Sequence, residues 1–356
     1  MKFSASIDVY RNPIYDNEEW WNRRISRMRY IRYLVDFPNK SRLLQRTLPQ
    51  LSVFLLWSCL AIVMGSRDIL VAKLHIGLTP MSLVSAFVAS LLALRGNQGL
   101  SRLEDARKAI GQVNLQTREM AQLIALGIYP NDKEMGLLAT RHVSIFCWSL
   151  KAYLYGFLEY DVVSAMLPNP SDALFITNYK RMPPMAILIR LRQIFSHLFN
   201  QGKLDSIYLR ELFRVSYRLN EALMNAERIR ISTIPPLYTT HTTRLLLFYL
   251  FWLPLALYGS LKNGPATLLV AAAVGYAMLG LDELAHILEL PFRFMPLRQL
   301  SKRSMMDAAD ALVYQPPPPL RGSESNNSNV EYTAVNPPYW NRKLEATEKK
   351  GIRKYD

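Results

Sequence analysis

A chain of 356 residues that is half hydrophobic yet carries 43 Lys and Arg against 28 Asp and Glu has a mean hydropathy close to zero, the average that membrane spans mixed with charged helices would give. Its two cysteines, Cys59 and Cys147, lie far apart and form no CxxC, which excludes a disulfide framework and offers no zinc site. The net charge of +15 suits nucleic acid, an anionic membrane surface or anion traffic, and only its distribution separates these.

Residues 1–46 read as an interfacial N-terminal segment. The stretch EEWWNRRISRMRYIRYLVDF mixes aromatics and arginines at helical spacing. Trp20 and Trp21 followed by Arg23, Arg24 and Arg27 suit the headgroup level, with rings at the interface and guanidinium groups on phosphates. Nucleic-acid binding is the weaker reading because the segment leads straight into a membrane span. Asp8, Asp16, Glu18 and Glu19 contradict the acid-poor pattern of a transit peptide.

Four uncharged runs follow: Thr47 to Ser66, Leu74 to Leu94, Leu245 to Leu261 and Asn263 to Leu281. Each is long enough, at about 1.5 Å rise per residue, for a hydrocarbon core of about 30 Å, so the expectation is four transmembrane helices. Arg and Lys cluster before the first run and after the second, and again before the third and after the fourth. Those ends face the cytoplasm or its topological equivalent. The short joiners SRDILVAK and KNGP then make two hairpins, at residues 47–94 and 241–281. In the second run Thr79 suits an N-cap and Pro80 the first helical position, and Thr79, Leu83 and Phe87 recur at four-residue spacing, on one stripe of a helix.

Between the hairpins, residues 95–240 carry many charges, with apolar residues recurring at three and four: Leu123, Ile124 and Leu126, then Leu209, Leu212, Phe213, Tyr217 and Leu219. That pattern predicts a domain of amphipathic helices and no strands on the basic side, broken near Pro130, Pro168, Pro170, Pro183 and Pro184. Residues 282–313 extend the last span as helix. On that extension Asp282, His286 and Glu289 share a face, which reads either as ion pairs at a helix end or as an ion or proton site. From residue 314 proline, serine and asparagine replace the periodicity, giving an extended or disordered tail, 314–356, whose NPPYW could dock on the chain's own helical domain.

Enzyme chemistry finds no support. His75, His142, His197, His241 and His286 show no metal-ligand spacing, and HExxH, GxSxG and the P-loop are missing from the sequence. No catalytic residue, metal or cofactor is expected.

Three stretches in order, LTPMSLVSAFVASLLALRGNQGLSRLEDARKAIGQV, STIPPLYTTHTTRLLLFYLFWLPLAL and GLDELAHILELPFRFMPL, resemble the bestrophin family of ion channels. They match its second membrane helix and exit, its approach to the third span, and its acidic segment ending in Pro-Phe. The resemblance covers roughly residues 20 to 312. It implies an all-α membrane protein assembled as a homopentamer around one axial anion pathway. Aligning Pro80 and Arg95 with the family's proline and arginine brings Thr79, Leu83 and Phe87 onto its neck, where Leu83 and Phe87 would form apolar rings that gate by dewetting. KLDSIYLRELF resembles the stretch that carries a second, cytosolic aperture, and Ile207 takes that place. Without the resemblance, Leu83 and Phe87 facing lipid and Ile207 in a helix contact are the competing accounts.

One departure matters. Animal bestrophins follow Pro-Phe with an acidic calcium clasp, whereas Pro291-Phe292 here precedes Arg293, Phe294, Met295, Pro296 and Leu297, and Asp307 and Asp310 lie too far on. Calcium needs oxygen ligands, so opening is expected to be calcium-independent. WNRRISRMRYIRYL and KSRLLQRTLP look more like plastid members, which favours a thylakoid membrane over a plasma membrane. The expected function is an anion channel passing chloride, with bicarbonate or nitrate as further candidates, lipid and copies of itself as partners, and no nucleic acid. A weakly selective or cation-conducting channel is the second reading, and a membrane scaffold recruiting partners through its helical domain and tail is the third.

Overall fold

A computed structural model describes residues 26–27, 42–67, 77–155, 160–167, 169–179 and 181–313. Residues 1–25 and 28–41 of the N-terminal segment, most of the first joiner, His75 at the start of the second run, Pro168 and the tail with NPPYW lie outside the described residues. Among the described residues the secondary structure is helical, with no strand.

The described residues form, in order, ten α-helices: α1 (Arg42–Ser66), α2 (Leu78–Gly127), α3 (Lys133–Tyr155), α4 (Tyr160–Met166), α5 (Pro170–Asn178), α6 (Pro183–Asn200), α7 (Ser206–Ile231), α8 (Pro236–Leu261), α9 (Gly264–Leu288) and α10 (Leu297–Val313), with a 3₁₀ turn at Pro291–Phe294. Four of them, α1, α2, α8 and α9, are long and apolar enough to cross a membrane. The chain is an all-α integral membrane protein.

The helices extend beyond the uncharged runs. Helix α1 begins at Arg42 and α8 at Pro236, and α9 runs to Leu288. An apolar run measures the hydrocarbon thickness, whereas the helix continues for as long as backbone hydrogen bonding does. The largest extension is α2. Its 50 residues join the second span and the charged exit in one uninterrupted helix, about 75 Å long at 1.5 Å per residue. It begins at Leu78, so Thr79 and Pro80 lie inside the first turn and Thr79 is not the N-cap. Pro80 is tolerated there because the first four backbone N–H groups of a helix have no intrahelical acceptor.

The chain divides into two compact units. One comprises the described residues of Met1–Asp105 and Ile231–Phe294, the other those of Ala106–Arg230 and Met295–Asp356. The boundary falls inside α2.

In the first unit α1 packs on α9 and α8, and α8 on α9. Its core gathers Phe54, Met81, Val88, Leu92, Leu246, Leu250, Leu253 and Ala271. Glycines let the helices approach: a Cβ on Gly275 would meet the Phe54 ring at 2.5 Å, and one on Gly65 would meet the Tyr258 ring at the same distance, the small-residue packing that membrane helices use where no hydrophobic drive separates helix from lipid. Trp57 stacks on Phe251 with ring centroids 4.5 Å apart and donates its indole N–H to the Phe251 carbonyl at 2.9 Å. The α8–α9 turn is two residues. Lys262 ends α8 in the left-handed region, φ 50°, its N–H on the Tyr258 carbonyl, and the Asn263 side chain caps α9 by accepting from Ala266 N–H at 3.3 Å. That is the physical content of KNGP.

In the second unit α3 is central, packed against α10, α6 and α4. Phe146, Ile145, Leu150, Phe195, Ile187 and Leu188 are all buried. Prolines sit where helices start or stop: Pro130 in the turn after α2, Pro170 opening α5, and Pro183 and Pro184 opening α6. Of the apolar positions that predicted α7, Leu212 and Leu219 are buried, while Tyr217 is exposed.

Candidate functional site

Helix α2 has two unlike faces over its first six turns. Met81, Val88, Leu92, Arg95 and Gly99 are buried within the first unit, at spacings of seven, four, three and four that keep one side of a helix inward. Thr79, Leu83 and Phe87 are exposed on the other side, Leu83 at 71% and Phe87 at 60%. At 100° per residue the two sets lie about 150° apart. The three residues chosen from the sequence therefore share an exposed stripe on the side of α2 opposite its buried face.

The hydroxyls around that stripe are turned onto their own helix. Ser82 donates to the Thr79 carbonyl at 2.7 Å, Ser85 to Ser82 at 2.8 Å and Ser90 to Ala86 at 2.8 Å. Bonding to the preceding turn satisfies each O–H without water, and leaves Leu83 and Phe87 as the bulk of the stripe.

Ile207 belongs to the second unit, where it is the second residue of α7 and 61% exposed. Asp205 sets this start, its carboxylate accepting Ser206 N–H at 2.7 Å and its carbonyl accepting Leu209 N–H at 3.0 Å. Ile207 is exposed where Leu212, five residues later on the same helix, is buried.

The face carrying Asp282, His286 and Glu289 is resolved as ion pairs. Arg95, 3% exposed, donates from Nε and Nη2 to Glu289 Oε1 at 3.1 and 2.8 Å, and from Nη1 to Asp282 Oδ1 at 2.5 Å and to Thr243 Oγ1 at 3.5 Å. His286, far more exposed, lies with Nδ1 3.6 Å from Glu289 Oε2, and Glu283 pairs with Arg46 at 3.2 Å. A guanidinium from α2 thus fills the space between Asp282 in the last turns of α9 and Glu289 at its C-cap. From the sequence Arg95 serves as one of the basic residues that follow the second run and as an alignment landmark. Its buried position in line with Val88 and Leu92 is the signal that it had a partner.

A second polar cluster, unforeseen from the sequence, lies inside the second unit. His142 on α3 is fully buried, with Nδ1 2.9 Å from the Leu138 carbonyl and Nε2 3.9 Å from Asp172 Oδ2. Asp172 on α5 meets Arg190 of α6 at 2.9 Å. Burial pulls the His142 imidazole below its usual value, more than the Leu138 carbonyl and Asp172 raise it, and Arg190 adds to the fall. Cys147 is likewise buried, beside Ser304 Oγ at 3.2 Å, and its thiol is pushed up to about 11.

The family described as Bacterial/Fungal Bestrophin protein matches residues 21–309. Among curated relatives, the chain is 24% identical over 318 residues to voltage-dependent chloride channel 2, chloroplastic, of Arabidopsis thaliana, covering 85% of this chain and 73% of that one. It is 27% identical over 258 residues to a voltage-dependent anion channel-forming protein of Ralstonia nicotianae, covering 69% and 80%. Among solved structures, a bacterial bestrophin homolog from Klebsiella pneumoniae is similar with a TM-score of 0.69 and 25% identity, over 76% of this chain and 99% of that one. The family match spans most of the chain, both units included, and the chain belongs to the bestrophin family.

Proposed function

We propose that this protein is an anion channel, a homopentamer in which five copies of α2 surround the ion path and Thr79, Leu83 and Phe87 form its neck. The observation that carries the reading is the exposed stripe on α2, apolar in Leu83 and Phe87 and set opposite the face that packs on the first unit. In a fivefold ring each position becomes a constriction, and apolar rings control flux by dewetting. The start of α2 adds partial positive charge near Thr79, favouring an anion without a buried lysine. Ile207, exposed at the start of α7, makes the second aperture in this reading.

The names of the relatives support the class of ion. Those from Arabidopsis are called chloride channels and those from bacteria anion channel-forming proteins. Chloride is the permeant we propose. Opening is independent of calcium, because Arg293, Phe294 and Met295 follow Pro291-Phe292 and supply no side-chain carboxylate. The compartment is a thylakoid membrane, supported by the two chloroplast relatives; the bacterial relatives favour a plasma membrane as the second reading.

The test is current through purified protein in planar bilayers under a chloride gradient, with a calcium chelator on both sides. The reversal potential is expected to follow chloride, and Leu83→Ala with Phe87→Ala to raise baseline conductance by about tenfold as the two apolar rings widen. Unchanged conductance and selectivity in the double variant removes the neck, and a reversal potential that follows the cation removes the anion channel.

A further inference from the structure

We infer that Arg95, through Asp282 and Glu289, is the positioning residue that fixes how far α2 is rotated about its own axis, and so which side chains it presents at the neck. The inference rests on the pore reading above and adds to it a device that sets the neck's geometry without touching the ion path.

The geometry is that of a clamp. Asp282 in α9 and Glu289, the residue that caps its C-terminus in helical conformation, are seven residues apart, two turns or about 10.5 Å along the helix axis, and the Arg95 guanidinium reaches both. Two nitrogens meet Glu289 Oε1 and a third meets Asp282 Oδ1, so the guanidinium plane is held at both ends. A planar group with several fixed donors restrains orientation in a way that a single point charge does not. Thr243 adds a contact from α8, so α2 is referred to two neighbouring helices.

Backbone packing reinforces the clamp one turn further on. At Gly99 a Cβ would lie 2.7 Å from the Leu288 Cβ, so at this point of α2 no side chain larger than hydrogen fits against Leu288. Arg102, less than one turn beyond, donates to the Ser232 carbonyl. Residues 95 to 102 are therefore a fixed base, and the stripe from Thr79 to Phe87 projects from it over two to four turns of unbroken helix.

The lever is rigid and one-sided. Between Phe87 and Arg95 the buried contacts of α2 are apolar, Val88 and Leu92, and apolar contacts in a membrane carry little directional preference. A rotation of one residue position, about 100°, would replace Leu83 and Phe87 at the neck by their sequence neighbours. The charged interactions opposing it are those of Arg95, beside the hydrogen bonds of Arg102 to Ser232 and of Tyr249 with Ser85. Truncating one partner also leaves a buried charge uncompensated, which costs more than the pair contributes when intact.

The test uses the full-length pentamer in planar bilayers, with assembly mass in detergent as a companion measurement. Arg95→Gln and Glu289→Gln are each expected to assemble and to show unitary conductance shifted by about threefold or more, with several levels in place of one. The double variant is expected to be no worse than the more severe single one, because the two residues act as one unit. Arg95→Lys should recover thermal stability yet keep the dispersed conductance, since an ammonium satisfies one carboxylate without fixing a plane. That split is the signature of positioning, because a merely structural role would recover both together. The inference is overturned if assembled Glu289→Gln and Arg95→Lys channels match the parent in unitary conductance while Leu83→Ala with Phe87→Ala changes it. If that neck variant also matches the parent, the pore reading itself fails and takes the clamp with it. Should Arg95→Gln not assemble, Glu289→Gln and Arg95→Lys decide.

Discussion

The two units hold themselves together in opposite ways. In the first, between 17% and 39% of each span is buried within the chain, and large apolar side chains such as Leu56, Leu83 and Leu269 stand more than 70% exposed. In the second, α3 buries 14 of its 23 residues. A bilayer supplies apolar surroundings outside the protein, so a span gains little by covering its leucines, and its specificity comes from close backbone approach at Gly65 and Gly275 and from the Arg95 ion pairs. A helix in water has no such surroundings and is held by its core. An apolar side chain exposed on α2 therefore marks a surface that lipid or another subunit covers, whereas the large apolar side chains of α3 such as Ile145, Phe146 and Leu150 are covered within their own unit.

The largest effect that could break this comparison is loss of core volume in the second unit. Phe146 is fully buried at the centre of α3. Phe146→Ala removes its packing and leaves a cavity, at an expected cost of about 3–5 kcal/mol, read as a fall in the thermal unfolding midpoint of the detergent-solubilised protein. Leu83→Ala, at a position 71% exposed, should leave that midpoint within an effect of about 0.5 kcal/mol while altering current. Equal losses in the two variants would mean that exposure is no guide to energetics here.

Much of this division was legible in the sequence, and the reasons for the remainder are physical. Four apolar runs locate the spans because the bilayer thickness imposes a minimum length, and the prolines at 130, 170, 183 and 184 mark where helices meet. Composition does not reveal that α2 continues through Arg95 to Gly127, because charge changes the solvent that a helix faces without ending its hydrogen bonding. Spacing put Thr79, Leu83 and Phe87 on one stripe, and the resemblance to the family singled that stripe out. What spacing could not give is the pairing of Arg95 with Asp282 and Glu289, 187 and 194 residues away, or that of His142 with Asp172 and Arg190. Those depend on tertiary approach, and each partner taken alone resembles an ordinary surface charge.

A smaller effect sharpens the comparison through pH. His142 lies wholly inside the second unit, and its proton affinity is lowered there chiefly by burial. The unfolded chain takes up a proton near the ordinary value of about 6.5, whereas the folded chain resists it. The unfolded state then binds more protons, and stability falls as pH drops below that value. The contribution is fully present above pH 6.5. The Asp132 carboxylate, held down first by its bond from Lys203 and then by Met135 N–H, has the same sign but acts near its lower ordinary value, and the Asp310 carboxyl, raised by burial, acts with the opposite sign, so the share of His142 is read from the difference between parent and variant from about pH 6.5 to 5. Unfolding midpoints measured across that window should fall more steeply for the parent than for His142→Gln. Parallel curves would remove His142 as the cause.

The smallest expected effect separates a surface pair from a buried one. Arg118 and Asp307 meet at 2.5 Å with side chains 48% and 29% exposed, against 4% for Arg95. Water screens the outer pair, so its net contribution is about 0.2–1 kcal/mol. Asp307 also acts against itself. It raises the proton affinity of Asp310, already raised by burial, so Asp307→Asn loses the Arg118 pair but relieves a neighbouring acid. The two terms oppose, and the midpoint should move by no more than an equivalent of about 0.5 kcal/mol. Arg118→Gln removes the attraction and keeps both acids, so it should cost more than Asp307→Asn. The reverse order would mean that Asp307 is held by more than Arg118. A loss from Arg118→Gln as large as that from Arg95→Gln would show that burial does not set the strength of these pairs.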